Sequence, residues 1–194
     1  MKNRVVVVVG RRGAGKTTLV TRLAKKFGLY RIVSHTTRPA RQGEQELGNY
    51  HFVTPCVFSE MVREGKFAWH FAISLSQSTG CTLAELGKIA LQPSVFDTTP
   101  FAAIETGKYV SSRGGQTLFI VLSVSPDVRR TRIQKRAHLL CEEVECLMRE
   151  DPVTSESLSE LIKFGGRIFY NNNESFDALV AEVVPTVKEF FESG

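Results

Sequence analysis

The chain has 194 residues, of which 42% are hydrophobic and 23% charged; this is enough to bury a substantial core and too apolar for a disordered tail. A net charge of +5 and a pI near 9.1 fit an anionic partner, a requirement that nucleotides and nucleic acids meet equally well. No apolar run approaches the roughly 20 residues of a membrane span, and the opening valine run is too short for a secretory leader, so a cytoplasmic setting is the default expectation.

Along the chain, Arg4 to Val9 is a continuous β-branched run without polar alternation, as expected of a strand buried on both faces of a parallel sheet. Leu19, Val20, Leu23, Ala24 and Phe27 then recur at helical spacing, with Gly28 as a stop. Residues 35–80 break this rhythm. Alternation at His51–Val53 and Phe67–Ile73, with a short helix near Phe58–Glu64, reads as an inserted, mostly β subdomain. Core strands follow at Ser94–Asp97 and Thr117–Val124, and Pro126-Asp127 opens a basic helix. Ile168–Asn171 is a further strand candidate. The apolar stripe Phe176, Leu179, Val180, Val183, Val184, Val187, Phe190 and Phe191 marks a closing helix that Pro185 is expected to kink or break. Strands alternating with helices predict an α/β, doubly wound parallel sheet. The four cysteines, Cys56, Cys81, Cys141 and Cys146, form no C-x-x-C pair and read as free thiols.

Between the first strand and the first helix stands Gly10-Arg11-Arg12-Gly13-Ala14-Gly15-Lys16-Thr17, a match to G-x-x-x-x-G-K-[ST], the P-loop. Glycines let the backbone turn tightly so that successive N–H groups converge on phosphate oxygens. Lys16 is the point charge for the β and γ phosphates, and the helix start adds its positive end. Residues 10–18, including Thr18, are therefore the candidate ATP contacts. The Thr17 hydroxyl, with Asp97 at the end of a buried strand, is the candidate Mg²⁺ pair.

Val33–Val53 carries Ser34, Thr36, Thr37, Arg38, Arg41, Gly43, Glu44, Tyr50, Phe52 and Val53 at the spacing S-x-T-T-R-x-x-R-x-G-E followed by Y-x-F-V. This segment resembles the monophosphate-binding segment of guanylate kinases. The resemblance implies a P-loop NTPase-type fold with an acceptor-binding insertion at 35–80, a helical lid at 129–164 and a core formed by 1–34, 81–128 and 165–194, all in one kinase domain, 1–194. It implies that Arg38, Arg41 and Tyr50 hold the acceptor phosphate with help from Ser34; guanidinium forks and a phenol suit a dianion. Arg132 and Arg136 match the family's R-x-x-x-R lid arginines, which act with Lys16 on the transferring phosphoryl group. Arg149 is off the family spacing, and Arg129 and Arg130 read as a solvated helix face. Tyr170-Asn171-Asn172-Asn173 takes the place of the stretch beside the adenine, with Asn172 as the contact, though it reads equally as a turn.

The base-reading half departs from the pattern. Ala68 stands where the family has an acid before its tryptophan, the following tyrosine is absent, and the D-x-D of the third strand is Asp97-Thr98-Thr99. Guanine presents two donors that want acceptors; Ser78 and Thr99 are the candidates left to meet them. Trp69-His70 is similar to ribose 1,5-bisphosphate phosphokinases, whose acceptor has no base. Three readings follow: ATP-dependent phosphorylation of a nucleoside monophosphate, GMP/dGMP to GDP/dGDP foremost; the same chemistry on another phosphorylated acceptor such as ribose 1,5-bisphosphate; or an inactive guanylate kinase-like binding module. Nucleotides are the expected partners, without membrane or nucleic acid; both monomer and homodimer are compatible with the sequence.

Overall fold

A computed structural model describes residues 3–40, 48, 50–74, 76–137, 140–149, 151, 153–172 and 175–193, with the side chains of 136 and 137 left aside. The valine run forms β1 (Arg4–Gly10), buried along its whole length. Around it lie β2 (Tyr30–Arg31), β7 (Ser94–Thr98), β8 (Gln116–Ser123) and β9 (Arg167–Tyr170). These form one parallel sheet in the order β2-β7-β1-β8-β9. A strand at the centre of such a sheet has no solvated face, which is why it reads as uninterrupted valine.

Alternate valines serve opposite layers. Val6 and Val8 pack with Leu19 and Leu23 of α1 (Lys16–Phe27) and with Leu179, Val183 and Val187 of α8 (Phe176–Glu192). Val5, Val7 and Val9 pack with Phe96, with Ala102, Ala103 and Val110 of α4 (Pro100–Ser111), and with Leu161 of α7 (Ser155–Lys163). The expected kink is not a break: α8 runs through Pro185 as one helix. Pro185 removes one main-chain bond, while Val183 and Val187, both fully buried, anchor the helix on either side of it. The basic helix is α5 (Pro126–Ala137), followed by α6 (Cys141–Arg149). No described helix is long and apolar enough to cross a membrane.

The insertion contributes a second sheet of β3 (Ser34–Thr36), β4 (Tyr50–Phe52), β5 (Phe67–Ser74) and β6 (Gln77–Thr82), in the order β4-β3-β6-β5. It includes α2 (Pro55–Arg63), whose Thr54 cap accepts a hydrogen bond from Val57 N–H. Pairing of Ser34 with Tyr50, Thr36 with Phe52 and Thr79, and Phe71 with Thr79 places these residues on one face. Trp69 and Cys81, also paired, join that face to the core. Trp69 Nε1 donates to Thr106 Oγ1 of α4 at 3.0 Å, bolting the second sheet to the first. His35, His51 and His70 lie on the opposite face with Phe67, and Phe58 of α2 packs on Phe67 and His70. The chain returns to the core through α3 (Leu83–Gly87) and a 3₁₀ turn at Lys88–Ala90.

Candidate active site

The phosphate loop leaves the sheet at Gly10, where a Cβ would come within 2.7 Å of Leu122 O. Gly13 and Gly15 adopt φ of +80° and +94°, the left-handed region where a side chain is strained. Lys16 opens α1, which has no acid in its first turn to compete with an incoming anion. Its ammonium donates to Gly10 O at 2.7 Å and Arg11 O at 3.2 Å. Desolvation lowers the Lys16 pKa, while Asp97 and Asp151 act in the opposite direction. Thr17 Oγ1 donates to Asp97 Oδ2 at 2.8 Å, so the two candidate metal ligands are in contact. The other Asp97 oxygen accepts from Arg31 Nη2 at 3.0 Å. Arg31 sits on β2, a two-residue strand too short to show in the periodicity.

On the far side of the loop, the amide that reaches it belongs to Asn171. Asn171 is 1% exposed; its Nδ2 donates to Ala14 O at 2.7 Å, and its Oδ1 accepts from Arg132 Nη2 at 3.3 Å. Arg132 Nη1 is buried without a hydrogen-bond partner among the described residues, and burial lowers the Arg132 pKa. Asn172 instead accepts from Ser125 N–H at 2.7 Å, at the entry to α5. Thr18 is exposed on the first turn of α1, and Arg149 is exposed at the end of α6. Arg41 and the side chain of Arg136 lie outside the described residues.

Arg129 corrects the reading of a solvated face. It is 2% exposed, donates from Nε to Arg12 O at 3.0 Å and pairs through Nη2 with Asp151 at 2.7 Å. A basic helix beside a phosphate loop has one turn that must face inward, and charge alone does not mark which. Arg130 is on the outer side, paired with Asp127 and Glu145 at the surface.

The inner face of the second sheet brings together Ser34, Thr36, Tyr50 and Thr79. The Arg38 guanidinium lies 5.6 Å from the Tyr50 and Phe52 ring centroids, and donates to Pro39 O at 2.6 Å. Ser78 is tied by its backbone: its N–H donates to Thr37 Oγ1 at 2.8 Å, and its carbonyl accepts from Thr37 N–H at 3.0 Å. Thr99 caps α4, with its hydroxyl buried and without a hydrogen-bond partner among the described residues. Phe71 and Phe101 meet edge to face at 5.2 Å. None of the four strands carries an acid. The nearby Glu85 is engaged by Tyr30, Val33 N–H and Lys88; burial pushes its pKa up, but these partners prevail and hold it low.

The fold matches a crystal structure of guanylate kinase from Anaplasma phagocytophilum with a TM-score of 0.64 at 16% identity, over 95% of this chain and 84% of that one. A guanylate kinase of Alkalilimnicola ehrlichii is 29% identical over 191 residues, 94% of this chain and 87% of the relative. Residues 2–92, which hold the phosphate loop and the whole second sheet, match the guanylate kinase family model. The chain is thus similar to guanylate kinases in fold and, over residues 2–92, in sequence. Guanylate kinases of Nitrosococcus oceani and Schizosaccharomyces pombe are 45% identical over 71 residues and 49% identical over 69 residues. Those two matches span about a third of each relative, 35% and 34% of its length. Guanylate kinase likeness is thus densest in the first half of the chain, where the loop and insertion lie.

Proposed function

We propose that this chain is a member of the guanylate kinase family and an ATP-dependent phosphotransferase whose acceptor is itself a phosphate, a nucleoside monophosphate, with GMP or dGMP as the leading candidate. The observation that carries the reading is the joining of two anion sites by one short stretch of chain. Lys16 follows β1 at the end of the phosphate loop, and Arg38 with Tyr50 stands on the insertion that follows β2 of the same parallel sheet. Such chemistry needs no covalent intermediate. Positioning and charge neutralisation carry nearly all of it.

The loop N–H groups of residues 13–18 and the Lys16 ammonium would bind the β and γ phosphates. Lys16 now spends its donors on loop carbonyls, bonds that a phosphate oxygen can replace without moving the lysine far. Arg132, whose buried Nη1 has spare donor capacity among the described residues, and Arg136 one turn on would meet charge on the equatorial oxygens. Arg38, Arg41, Tyr50 and Ser34 would hold the acceptor phosphate in line. A Mg²⁺ fits the contacting hard oxygens of Thr17 and Asp97, which would hold it, and it would supply charge neutralisation for the triphosphate. The four cysteines, none of them in a disulfide among the described residues, suit a reducing, cytoplasmic setting.

A second reading keeps the chemistry and changes the acceptor, and one observation favours it. The strands of the acceptor sheet offer hydroxyls and rings but no carboxylate for guanine's donors. His70, part of the Trp69-His70 pair, lies on the opposite face against Phe67, and Trp69 is a core anchor. The test is ADP release with Mg-ATP against GMP, dGMP, AMP, UMP and ribose 1,5-bisphosphate. Turnover with GMP or dGMP far above the rest supports the leading reading; turnover with the sugar bisphosphate alone replaces it. ATP binding without turnover on any acceptor would point to a binding module. Lys16→Met abolishes turnover with every acceptor if the loop is catalytic.

A further inference from the structure

We propose that Asp151 and Arg129 form a positioning clamp on the phosphate loop, which sets how tightly the loop holds a triphosphate. The inference rests on residues 10–17 being the triphosphate site, and concerns two residues that lie outside the loop motif.

Both main-chain polar groups of a single loop residue, Arg12, are engaged by this pair. Arg12 N–H donates to Asp151 Oδ2 at 2.8 Å, and Arg12 O accepts from Arg129 Nε at 3.0 Å. The ring closes through Arg129 Nη2 and Asp151 Oδ2, 2.7 Å apart, with the two side chains 3% and 4% exposed. Asp151 Oδ1 accepts from Val153 N–H at 3.1 Å, so the carboxylate is fixed at both ends. A third tie runs from Arg11 Nη2 to Ser155 Oγ at 2.9 Å. Arg129 also walls the next residue, since a Cβ on Gly13 would lie 3.5 Å from Arg129 O.

A loop that binds phosphate through successive N–H groups depends on the orientation of each peptide plane. Pinning the donor and the acceptor of Arg12 fixes the planes that lead into Gly13, Ala14 and Gly15. An arginine can do this with one side chain, because Nε and Nη2 are separate donors held on one rigid plane and each takes its own acceptor here. The pairing also answers an electrostatic problem. A lone buried arginine here would capture the phosphate, and a lone aspartate would repel it. As a pair they act on Lys16 in opposite senses, leaving the lysine's charge available to the ligand. Burying such a pair adds little to stability in general, so its presence at this position is better explained by geometry. Asp151 lies between α6 and α7, so displacement of the segment behind the basic helix is transmitted to the loop by a direct bond.

The experiment measures ATP affinity by calorimetry, KM for ATP and for the acceptor separately, and Tm. It compares the wild type with D151A, D151N, R129K, R129M and the double variant R129M/D151A. Loss of a charge-assisted hydrogen bond is worth about one to two decades in an equilibrium constant, so D151A is expected to weaken ATP binding about 10- to 100-fold while the acceptor KM stays level. D151N keeps an oxygen for Arg12 N–H and recovers most of the loss, and the double variant is no worse than the weaker single one. If D151A does not fold, D151N and R129K carry the comparison. The clamp is overturned if wild-type chain binds ATP and the variants match it, or if both KM values rise together in step with Tm. A wild-type chain that binds no triphosphate overturns the loop reading and the clamp with it.

Discussion

His35 sits at the middle of β3, facing away from the core, with Nδ1 buried and without a hydrogen-bond partner among the described residues. Burial lowers its pKa from 6.5 to about 4, and the His51 ring, 4.6 Å away, pushes the same way; Glu85 acts against them. The unfolded chain protonates this imidazole near its ordinary pKa, but the folded chain resists until the pH is far lower. The unfolded state therefore binds more protons between the two values. The neutral ring's contribution is fully present above about pH 6.5 and is lost as pH falls toward 4. At pH 5 the shift corresponds to about 2 kcal/mol, which partial exposure of the ring reduces to about 1 kcal/mol. His35→Phe removes the titration and keeps an aromatic ring against Phe67, now met edge to face at 5.8 Å. Urea unfolding of both proteins at pH 7 and pH 5 isolates the effect, because carboxylates elsewhere titrate alike in each. Wild type is expected to lose about 1 kcal/mol more than the variant over that interval. Equal losses would refute the burial of a neutral imidazole at this position.

Two further substitutions probe the packing around the site. Gly15→Ala puts a Cβ at φ +94°, 2.6 Å from Asn171 Nδ2 and 3.0 Å from the Phe176 ring. The backbone strain and the lost buried bond from Asn171 cost about 2–4 kcal/mol together. Differential scanning calorimetry is expected to show a Tm lower by about 5–15 °C, with triphosphate binding lost; a shift within about 1 °C would contradict the geometry. Trp69→Phe leaves the fully buried Thr106 hydroxyl without its donor and opens a small void. A loss of about 2–4 kcal/mol in urea unfolding is expected, with faster proteolytic cutting inside residues 35–80 as the sign that the second sheet has loosened.

The parts of this molecule legible in the sequence are those whose physics is local or periodic. β1, α1 and α8 announce themselves because burial on two faces, or along one stripe, constrains every residue in the run. The loop is legible because its glycines and Lys16 each answer a separate demand of phosphate binding. β2 was not, because two residues carry no period, although it brings Arg31 to Asp97. Asn171 and Asn172 are indistinguishable in a run of three asparagines, and only β9's pairing with β8 turns the first toward the loop and the second toward Ser125. Arg129 and Arg130 differ by one step around a helix, which separates a buried partner of the loop from a surface charge. Pro185 does not break α8, which continues through it with Val183 and Val187 buried on either side.

The central position of β1 bears on how the chain survives its own synthesis. Val5 is made well before its partners on either side, Ser94 and Thr117. At about 5–20 residues per second, the ribosome leaves this strand without either neighbour for several seconds or longer. During that interval five consecutive valines, with no charge or proline among them, form the kind of segment that adds to strands of other chains. The placement that anchors the phosphate loop in the centre of the finished sheet thus leaves a β-prone segment without its partners for longer than a hairpin strand would wait.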